Sequence, residues 1–441
     1  MTLLLYLFLV IIFIIVATSK FKLHPFLALI FSAIIMGLLA GLDTAIIIKS
    51  LTDGFGNTLK SIGIVIACGS IIGAFLEKTG GAKSIANFLL RLIGKGNSHL
   101  AVNITGFLVS IPVFCDSGYV ILSSLNNAIN KKTGISLAVL GTSLAAGLYA
   151  SHVFIPPTPG PLAAAAIIGA DIGLVLIFGL LVALPVSLVG WAWAVFYCSK
   201  FSVNIISDKT SETINTIKDP NIAKAILPII IPIILISLKS LIQHPSIKFQ
   251  NLEIENILIF SGHPIIALLI GVLVAMVSTY NYGVDKQFEW VSKGLQSAGT
   301  IILITGAGGA FGNILRTTSL GDSISQQLVN WEIGIFLPFI IAAFLKTAQG
   351  SSTVSIITTA AMVTPLLDSL GLSSELGRVM VVLSIGAGAM TVSHLNDSYF
   401  WVVSQFSNMN TKTALRCHTI TTLVQGATGI LLIKIISLIV L

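Results

Sequence analysis

Long apolar blocks separated by short polar loops run along the whole chain. An α-helix needs about 20 residues to cross a bilayer, whereas barrel strands alternate over about ten residues, and the blocks match the helix. The pattern therefore predicts membrane-spanning helices. The predicted spans cover residues 3–18, 25–41, 59–76, 136–154, 172–198, 226–242, 257–280, 379–392 and 419–440.

Two further apolar stretches are interrupted in the middle by polar residues. Within residues 100–129, Pro112 removes a backbone donor and Gly118 frees the backbone, and Asp116 lies between them. In the second stretch, an apolar leg over residues 333–345 leads to the polar residues 346–353. Irregular backbone at membrane depth is tolerated only where it is buried in protein or lines a wet cavity. We predict two broken helical hairpins, one around 111–118 and one around 346–353.

These features occur twice in the same order. Residues 69–79 match residues 308–318 without gaps, and a broken hairpin follows each copy. After each hairpin, a small-residue helix ends in Ser-His, at Ser151-His152 and at Ser393-His394. An irregular stretch follows each Ser-His pair. Because an odd number of predicted spans separates the copies, we expect inverted repeats whose broken helices form a binding site near the membrane midplane.

The predicted fold class is an all-α integral membrane protein with two inverted repeats and re-entrant or broken helical hairpins. Residues 1–56 form amino-terminal spans, and residues 57–200 form the first repeat, with a Pro-rich re-entrant segment at 155–170. Residues 201–290 are a central linker with connecting spans. Residues 291–441 form the second repeat, with an irregular segment at 393–411.

The amino-acid composition and the missing motifs exclude several classes of function. Only 9% of the 441 residues are charged, against about 25% in soluble domains. The net charge of +7 comes mostly from loop residues, which indicates membrane topology and argues against a nucleic-acid partner. The four cysteines show no metal-ligand spacing, and the chain has no Walker loop and no nucleophile elbow. We therefore expect no enzyme activity, no cofactor and no bound metal.

The candidate proton-coupling residues are ionisable side chains at the breaks. Asp116 is either a proton acceptor, because apolar surroundings favour a protonated carboxyl, or a helix-capping carboxylate. His152 and His394 occupy matched positions, where a histidine is either a packing residue or a proton carrier. Asp397 lies beside His394, and this pair could share a proton.

The candidate substrate-binding residues are polar groups at the two tips and at the last break. Backbone N–H groups at helix amino termini attract anions, and hydroxyl and amide groups add neutral hydrogen bonds. Lys346 either anchors an anionic substrate or extends its charge to the membrane interface. The candidates are Ser117, Gln349, Gly350, Ser351, Ser352, Thr353 and Asn396.

Four segments together resemble one known family. The segments are residues 114–122, residues 151–161 with the string His-Val-Phe-Ile-Pro-Pro-Thr-Pro-Gly-Pro, residues 348–354, and residues 393–401 with Ser-His-Leu-Asn-Asp. They resemble the gluconate permease (GntP-type) family over most of the chain. The resemblance implies a bacterial inner-membrane, multi-pass symporter of the ion-transporter superfamily that moves gluconate, related sugar acids or D-serine with protons, and it implies a homodimer. The positions that match the family site are Asp116, His152, Gln349, Ser351, Thr353, His394, Asn396 and Asp397.

We therefore expect a secondary active transporter that imports gluconate or a related small hydroxy carboxylate in symport with protons. The alternative on the same fold is a sodium-coupled transporter of a dicarboxylate or other organic anion, or a D-serine transporter. The tips are rich in hydroxyl and carbonyl groups, which suit Na⁺ equally well, so the tips favour neither coupling ion. The expected partners are a small organic anion, protons and the lipid bilayer.

Overall fold

The structure is a computed structural model that describes residues 2–203, 221–242, 252–318, 334–395 and 397–441. Within these ranges the chain is helical and contains no β-strand. By length and composition, five helical stretches of the described chain are able to cross a bilayer, or seven if each of two bent pairs is one span. The described helices are α1 (Thr2–Ser19), α2 (Pro25–Leu39), α3 (Thr44–Lys78), α4 (Gly81–Ile93), α5 (Ser98–Val109), α6 (Cys115–Thr133), α7 (Leu137–Phe154), α8 (Pro159–Ile168), α9 (Ile172–Phe196), α10 (Ile222–Ile242), α11 (Leu252–Ser261), α12 (Pro264–Ser278), α13 (Val284–Thr317), α14 (Phe336–Gln349), α15 (Ser352–Val363), α16 (Glu375–Met390), α17 (Ser398–Phe406), α18 (Thr411–Ala414) and α19 (Ile420–Val440).

The predicted repeat boundaries at 57 and 291 fall inside two long helices, and the division of the chain into repeats at these residues stays a prediction. Helix α3 runs from Thr44 to Lys78 with a bend of 46° between Lys60 and Gly63, and α13 runs from Val284. Two threonines in the first part of α3 donate their hydroxyls to backbone carbonyls one turn earlier, a bond that often bends a helix. The hydroxyl of Thr52 donates to the Ile48 carbonyl (3.0 Å), and that of Thr58 donates to the Gly54 carbonyl (2.8 Å). Of the central linker, residues 204–220 and 243–251 lie outside the described residues.

The two halves repeat one order of elements. A long helix (α3 or α13) precedes a broken hairpin, which we call the first hairpin (α5 and α6) and the second hairpin (α14 and α15). A buried helix follows each hairpin, α7 in the first half and α16 in the second. A break and a short helix come next, α8 or α17, before the last long helix of each half, α9 or α19. The two hairpins therefore have the predicted form. The Pro-rich stretch interrupts the helix between α7 and α8, but both helices belong to one apolar stretch, Leu137–Ile168, and the re-entrant course of residues 155–170 stays a prediction. The predicted irregular segment 393–411 contains the nine-residue helix α17, which Asp397 caps.

The long helices of the two halves pack against each other in opposite directions. Gly306 of α13 lies against Phe55 near the start of α3, whereas Gly294 lies against Ile71 near its end. The ion pair between Lys293 and Glu77, at 3.1 Å, continues the same antiparallel register. Matched helices that run antiparallel place the two repeats in inverted orientation, as predicted.

Each half also contributes its short helix to the hairpin of the other half. Helix α8 packs on α15 of the second hairpin, and α17 packs on α6 of the first hairpin. A Cβ at Gly160 of α8 would lie 2.8 Å from the terminal methyl of Ile356 of α15, which shows how closely the two helices pack. This reciprocal packing brings both Ser-His breaks next to hairpin tips.

Candidate functional site

The first hairpin breaks over residues 110–114. Helix α6 begins at Cys115 without a side-chain cap, so Asp116 and Ser117 lie in its first turn. The break contacts α3 closely, because a Cβ at Gly73 would lie 2.3 Å from the Pro112 carbonyl oxygen. The site therefore receives an uncapped helix amino terminus that carries one carboxylate and one hydroxyl, both half-buried.

The second hairpin turns at Gly350, whose φ of +83° belongs to the left-handed region that favours glycine. Ser351 then caps α15, where its hydroxyl accepts from the Val354 N–H at 3.3 Å. The Ser355 hydroxyl donates to the Ala342 carbonyl at 2.7 Å and fastens one leg to the other. The tip is thus a short, rigid turn rather than a long loop.

A buried ion pair lies beside this tip. The Lys346 ammonium donates to the Asp397 carboxylate, and the two side chains are only 1% and 4% exposed. Lys346 also donates to the Gly350 carbonyl at 2.9 Å. The Asp397 carboxylate accepts from the Ser393 hydroxyl and, at 3.0 Å, from the Tyr399 N–H. Lys346 is therefore buried beside the tip and does not extend to the membrane interface. Its positive charge is already neutralised by Asp397.

This pair connects the two hairpin tips. Asp397 is followed by Ser398, whose hydroxyl donates to Asp116 Oδ1 at 3.5 Å. One polar path therefore runs from Gly350 through Lys346 and Asp397 to Ser398 and Asp116, and within it the peptide chain rather than a hydrogen bond joins Asp397 to Ser398. The tips of two hairpins from opposite halves of the chain meet at this polar network within an apolar bundle.

The two matched histidines flank this network without joining it directly. His152 is 3% exposed, and its ring stacks on Tyr149 with 6.5 Å between centroids. Its Nδ1 has no hydrogen-bond partner among the described residues. The Nε2 of His394 lies 3.1 Å from the Thr347 carbonyl of the second hairpin. Among the described residues no hydrogen bond joins the His394 ring to the Asp397 carboxylate, which faces Lys346 and Ser393, and the sharing of a proton between them stays a prediction.

The other predicted substrate residues all belong to the two tips or to the last break. Ser352 is buried and Thr353 half-buried in the first turn of α15. Gln349 is the last residue of α14, and Asn396 lies outside the described residues.

Sequence reasoning missed several members of the network, including Tyr149, Ser393 and His418. The Lys346 ammonium lies 6.0 Å from the centre of the Tyr149 ring, which also contacts His152. The His418 Nε2 lies 3.1 Å from the Ser393 hydroxyl. Among the described residues, no group of three or more His, Cys, Asp or Glu side chains is arranged to hold a metal ion.

Comparison with known proteins shows the family. A family model described as "GntP family permease" matches residues 1–439. The chain belongs to the GntP permease family. The predicted resemblance is thereby confirmed, and the chain is a permease rather than an enzyme.

Full-length relatives agree with this assignment. The GntP family chain is 34% identical to the gluconate permease of Pseudomonas aeruginosa, and the match covers 96% of this chain and 95% of that protein. It is 30% identical to the gluconate permease of Bacillus subtilis, over 95% and 96% of the two chains. It is also 30% identical to the inner membrane permease YgbN of Escherichia coli, over 94% and 93%. The predicted location, a multi-pass position in the inner membrane, is confirmed.

The fold has a solved counterpart at low sequence identity. The crystal structure of the Alcanivorax borkumensis YdaH transporter, described as having an unusual topology, aligns with a TM-score of 0.68 and 16% identity. The alignment covers 93% of this chain and 98% of that chain. This likeness concerns the fold alone, and it confirms the predicted fold class.

Proposed function

We propose that this permease imports gluconate, or a related small hydroxy carboxylate, in symport with protons. The observation that carries the proposal is the polar path from Gly350 to Asp116, which joins the tips of both inverted repeats. In transporters with inverted repeats, broken helices of the two halves form the substrate site near the midplane. The names of the relatives support gluconate as the substrate.

The tips have the chemistry that a hydroxy carboxylate requires. Helix α6 starts without a side-chain cap, so N–H groups of its first turn remain available to an anion. The first turns of α6 and α15 carry the hydroxyls of Ser117 and Thr353, and Ser351 adds a third at the second tip. Neutral donors and acceptors of this kind suit a polyhydroxylated acid, because they bind hydroxyls without a further buried charge.

The coupling to protons rests on Asp116. Asp116 forms no ion pair within the described part of the chain, and an unneutralised carboxylate there would repel a substrate carboxylate. Protonation of Asp116 removes this repulsion, so a proton accompanies the anion. His152 and His394, each beside one break, are further candidates for passing protons. A homodimer remains a prediction.

The direct test is uptake of labelled gluconate into proteoliposomes under an imposed pH gradient or an imposed sodium gradient. We expect the pH gradient alone to drive uptake and an uncoupler to abolish it. Uptake that requires sodium would favour the alternative coupling. A strong competitor among succinate, other dicarboxylates and D-serine would identify a different substrate.

Asp116→Asn tests the proposed proton site. Proton-driven uptake is expected to fall to the level of empty liposomes, because the amide cannot bind the coupling proton. The matched control is Asp43→Asn, since Asp43 caps α3 at the protein surface through the Ala45 N–H and asparagine caps equally well. Normal proton-driven uptake by Asp116→Asn would remove Asp116 from the mechanism.

A further inference from the structure

A second buried histidine is connected to the ion pair by a chain of hydrogen bonds. His418 is 1% exposed and lies in a π-helical turn, Leu415–Thr419, between α18 and α19. Such turns within helices are frequent at functional sites. Its Nε2 lies 3.1 Å from the Ser393 hydroxyl, which donates in turn to Asp397. Because the Ser393 proton goes to Asp397, the histidine donates from Nε2, and its Nδ1 has no partner among the residues described.

The intermediate serine is fixed from both sides. Its backbone N–H donates to the Thr422 hydroxyl at 3.0 Å, and its carbonyl accepts from the Thr419 hydroxyl at 2.6 Å. Both threonines lie at the start of α19, next to His418. This geometry holds the Ser393 hydroxyl in one place between an imidazole and a carboxylate, as a proton relay requires.

The charge on Asp397, at the end of this relay, determines whether the Lys346 ammonium is available to a substrate. Lys346 is the cation nearest to the second tip, since it donates to the Gly350 carbonyl, but its charge is already neutralised by Asp397. A substrate carboxylate at that tip therefore competes with Asp397 for the same ammonium. Protonation of Asp397 ends this competition because a neutral carboxylic acid binds an ammonium far more weakly than a carboxylate does.

We propose that Lys346 is a substrate-carboxylate anchor which Asp397 withholds until a proton reaches Asp397 from His418 through Ser393. This inference rests on the proposed function and adds the residue that binds the carboxylate and the route of one proton. A proton binds Nδ1 of the neutral imidazole, and the Nε2 proton passes to the Ser393 oxygen. The Ser393 hydroxyl proton passes at the same time to Asp397 Oδ2. The imidazole and the serine end neutral, Asp397 becomes a carboxylic acid, and Lys346 is released.

Other titratable groups also face the pair and are part of its electrostatic environment. Tyr399 lies on α17 behind Asp397, and Tyr149 on α7 lies below Lys346. Asp116 on α6 reaches the network through Ser398, and Cys115 contacts Asp116 at 3.7 Å. His394 contacts the second hairpin at Thr347. Tyr399 also touches both ends of the path, since its N–H donates to Asp397 and its ring centroid lies 5.4 Å from that of His418, but its hydroxyl donates to the Ala145 carbonyl. Within the described chain, the Ser393 hydroxyl is therefore the side-chain group that hydrogen-bonds both Asp397 and His418.

The decisive measurement is the number of protons taken up per gluconate bound, from calorimetry of the purified full chain in buffers of different ionisation enthalpy. Asp397→Asn is expected to take up one proton fewer than the wild type. It should also keep its gluconate affinity at alkaline pH, where the wild type loses affinity. The asparagine preserves the α17 cap and imitates the protonated acid. An unchanged proton count and pH profile in Asp397→Asn would overturn the proposal.

A second pair of variants tests the relay without removing a charge. Ser393→Ala and His418→Gln should slow pH-driven uptake by about tenfold or more, as expected for loss of a positioned proton-transfer group. The equilibrium proton count should remain at its wild-type value, because the relay sets the rate of proton transfer and not its end point. The control is Ser384→Ala on α16, a buried serine whose hydroxyl donates to the Ile335 carbonyl away from the network. Wild-type rates of driven uptake in both relay variants would overturn the route.

The outcomes separate this inference from the proposed function. A wild-type protein that binds gluconate without taking up protons contradicts both proposals. A wild-type protein that binds succinate or D-serine in place of gluconate contradicts only the substrate, and the same titrations with that acid then test the release of Lys346. Proton-coupled gluconate binding with an unchanged Asp397→Asn variant contradicts the inference alone.

Discussion

At the residue scale, the most informative side chain is Lys346. An ammonium that is 1% exposed inside an apolar bundle is costly unless a carboxylate and further acceptors compensate it, and here Asp397 and the Gly350 carbonyl do so. Removing one partner leaves the other charge buried and unpaired, whereas replacing both partners leaves no unpaired charge. The pair therefore serves the site more than it serves stability.

A double-mutant comparison tests this point. Lys346→Met should lower the free energy of unfolding by about 3–5 kcal/mol, because Asp397 then remains buried without its cation. Lys346→Met combined with Asp397→Asn should recover most of that loss but transport no gluconate. The measurement is thermal unfolding of the detergent-purified variants, together with uptake in proteoliposomes. A double variant that is as unstable as the single one would contradict the assignment of a mutually compensating pair.

The sequence predicted some of these residues and missed others for a physical reason. Asp116 and the hydroxyls of Ser351 and Thr353 could be found because each interrupts an apolar block. The partner of Lys346 could not be found, because 51 positions separate it from Asp397 and only the tertiary fold joins them. The sequence showed only that Lys346 follows a long apolar leg, which left both an anchoring role and extension to the interface open.

At the element scale, the two hairpins hold the site because their tips are rigid. The first tip is fixed by its contact with α3, and the second is fixed by the Ser355 hydrogen bond between its legs. The positions of both breaks could be read from the sequence, since each combines a proline or glycine with polar residues inside an apolar block. Proline alone is no such signal, because Pro185 lies within α9. The start of α3 could not be read from the sequence, because its first part carries Lys49 and Asp53 and so lacks the continuous apolar pattern by which the span at 59–76 was predicted.

The contact between α3 and the first tip provides a test. Gly73→Ala would place a Cβ 2.3 Å from the Pro112 carbonyl oxygen, so the tip must shift. We expect a loss of about 1–3 kcal/mol in stability, as for other overpacked sites, and a large loss of gluconate uptake. Gly56→Ala, on the same helix with open space around it, should be neutral or stabilising by up to about 1 kcal/mol. Equal behaviour of the two variants in stability and uptake would show that the tip does not depend on this contact.

At the scale of the whole molecule, inversion of the repeats explains why the site lies where it does. Antiparallel packing of α3 on α13 turns one half over relative to the other, so the two hairpins approach the same depth from opposite sides. The exchange of α8 and α17 between the halves then closes each tip with a helix from the other repeat. The repeat was visible in sequence through residues 69–79 and 308–318, but the exchange was not, because it depends on contacts between distant segments.

The most direct test of this account is a structure of the full-length permease determined with gluconate bound. We predict one gluconate that contacts both tips at once, with its carboxylate within hydrogen-bond distance of Lys346 and its hydroxyls on Ser117 and Thr353. Density for gluconate that touches only one hairpin, or that lies away from the path between Gly350 and Asp116, would contradict the account.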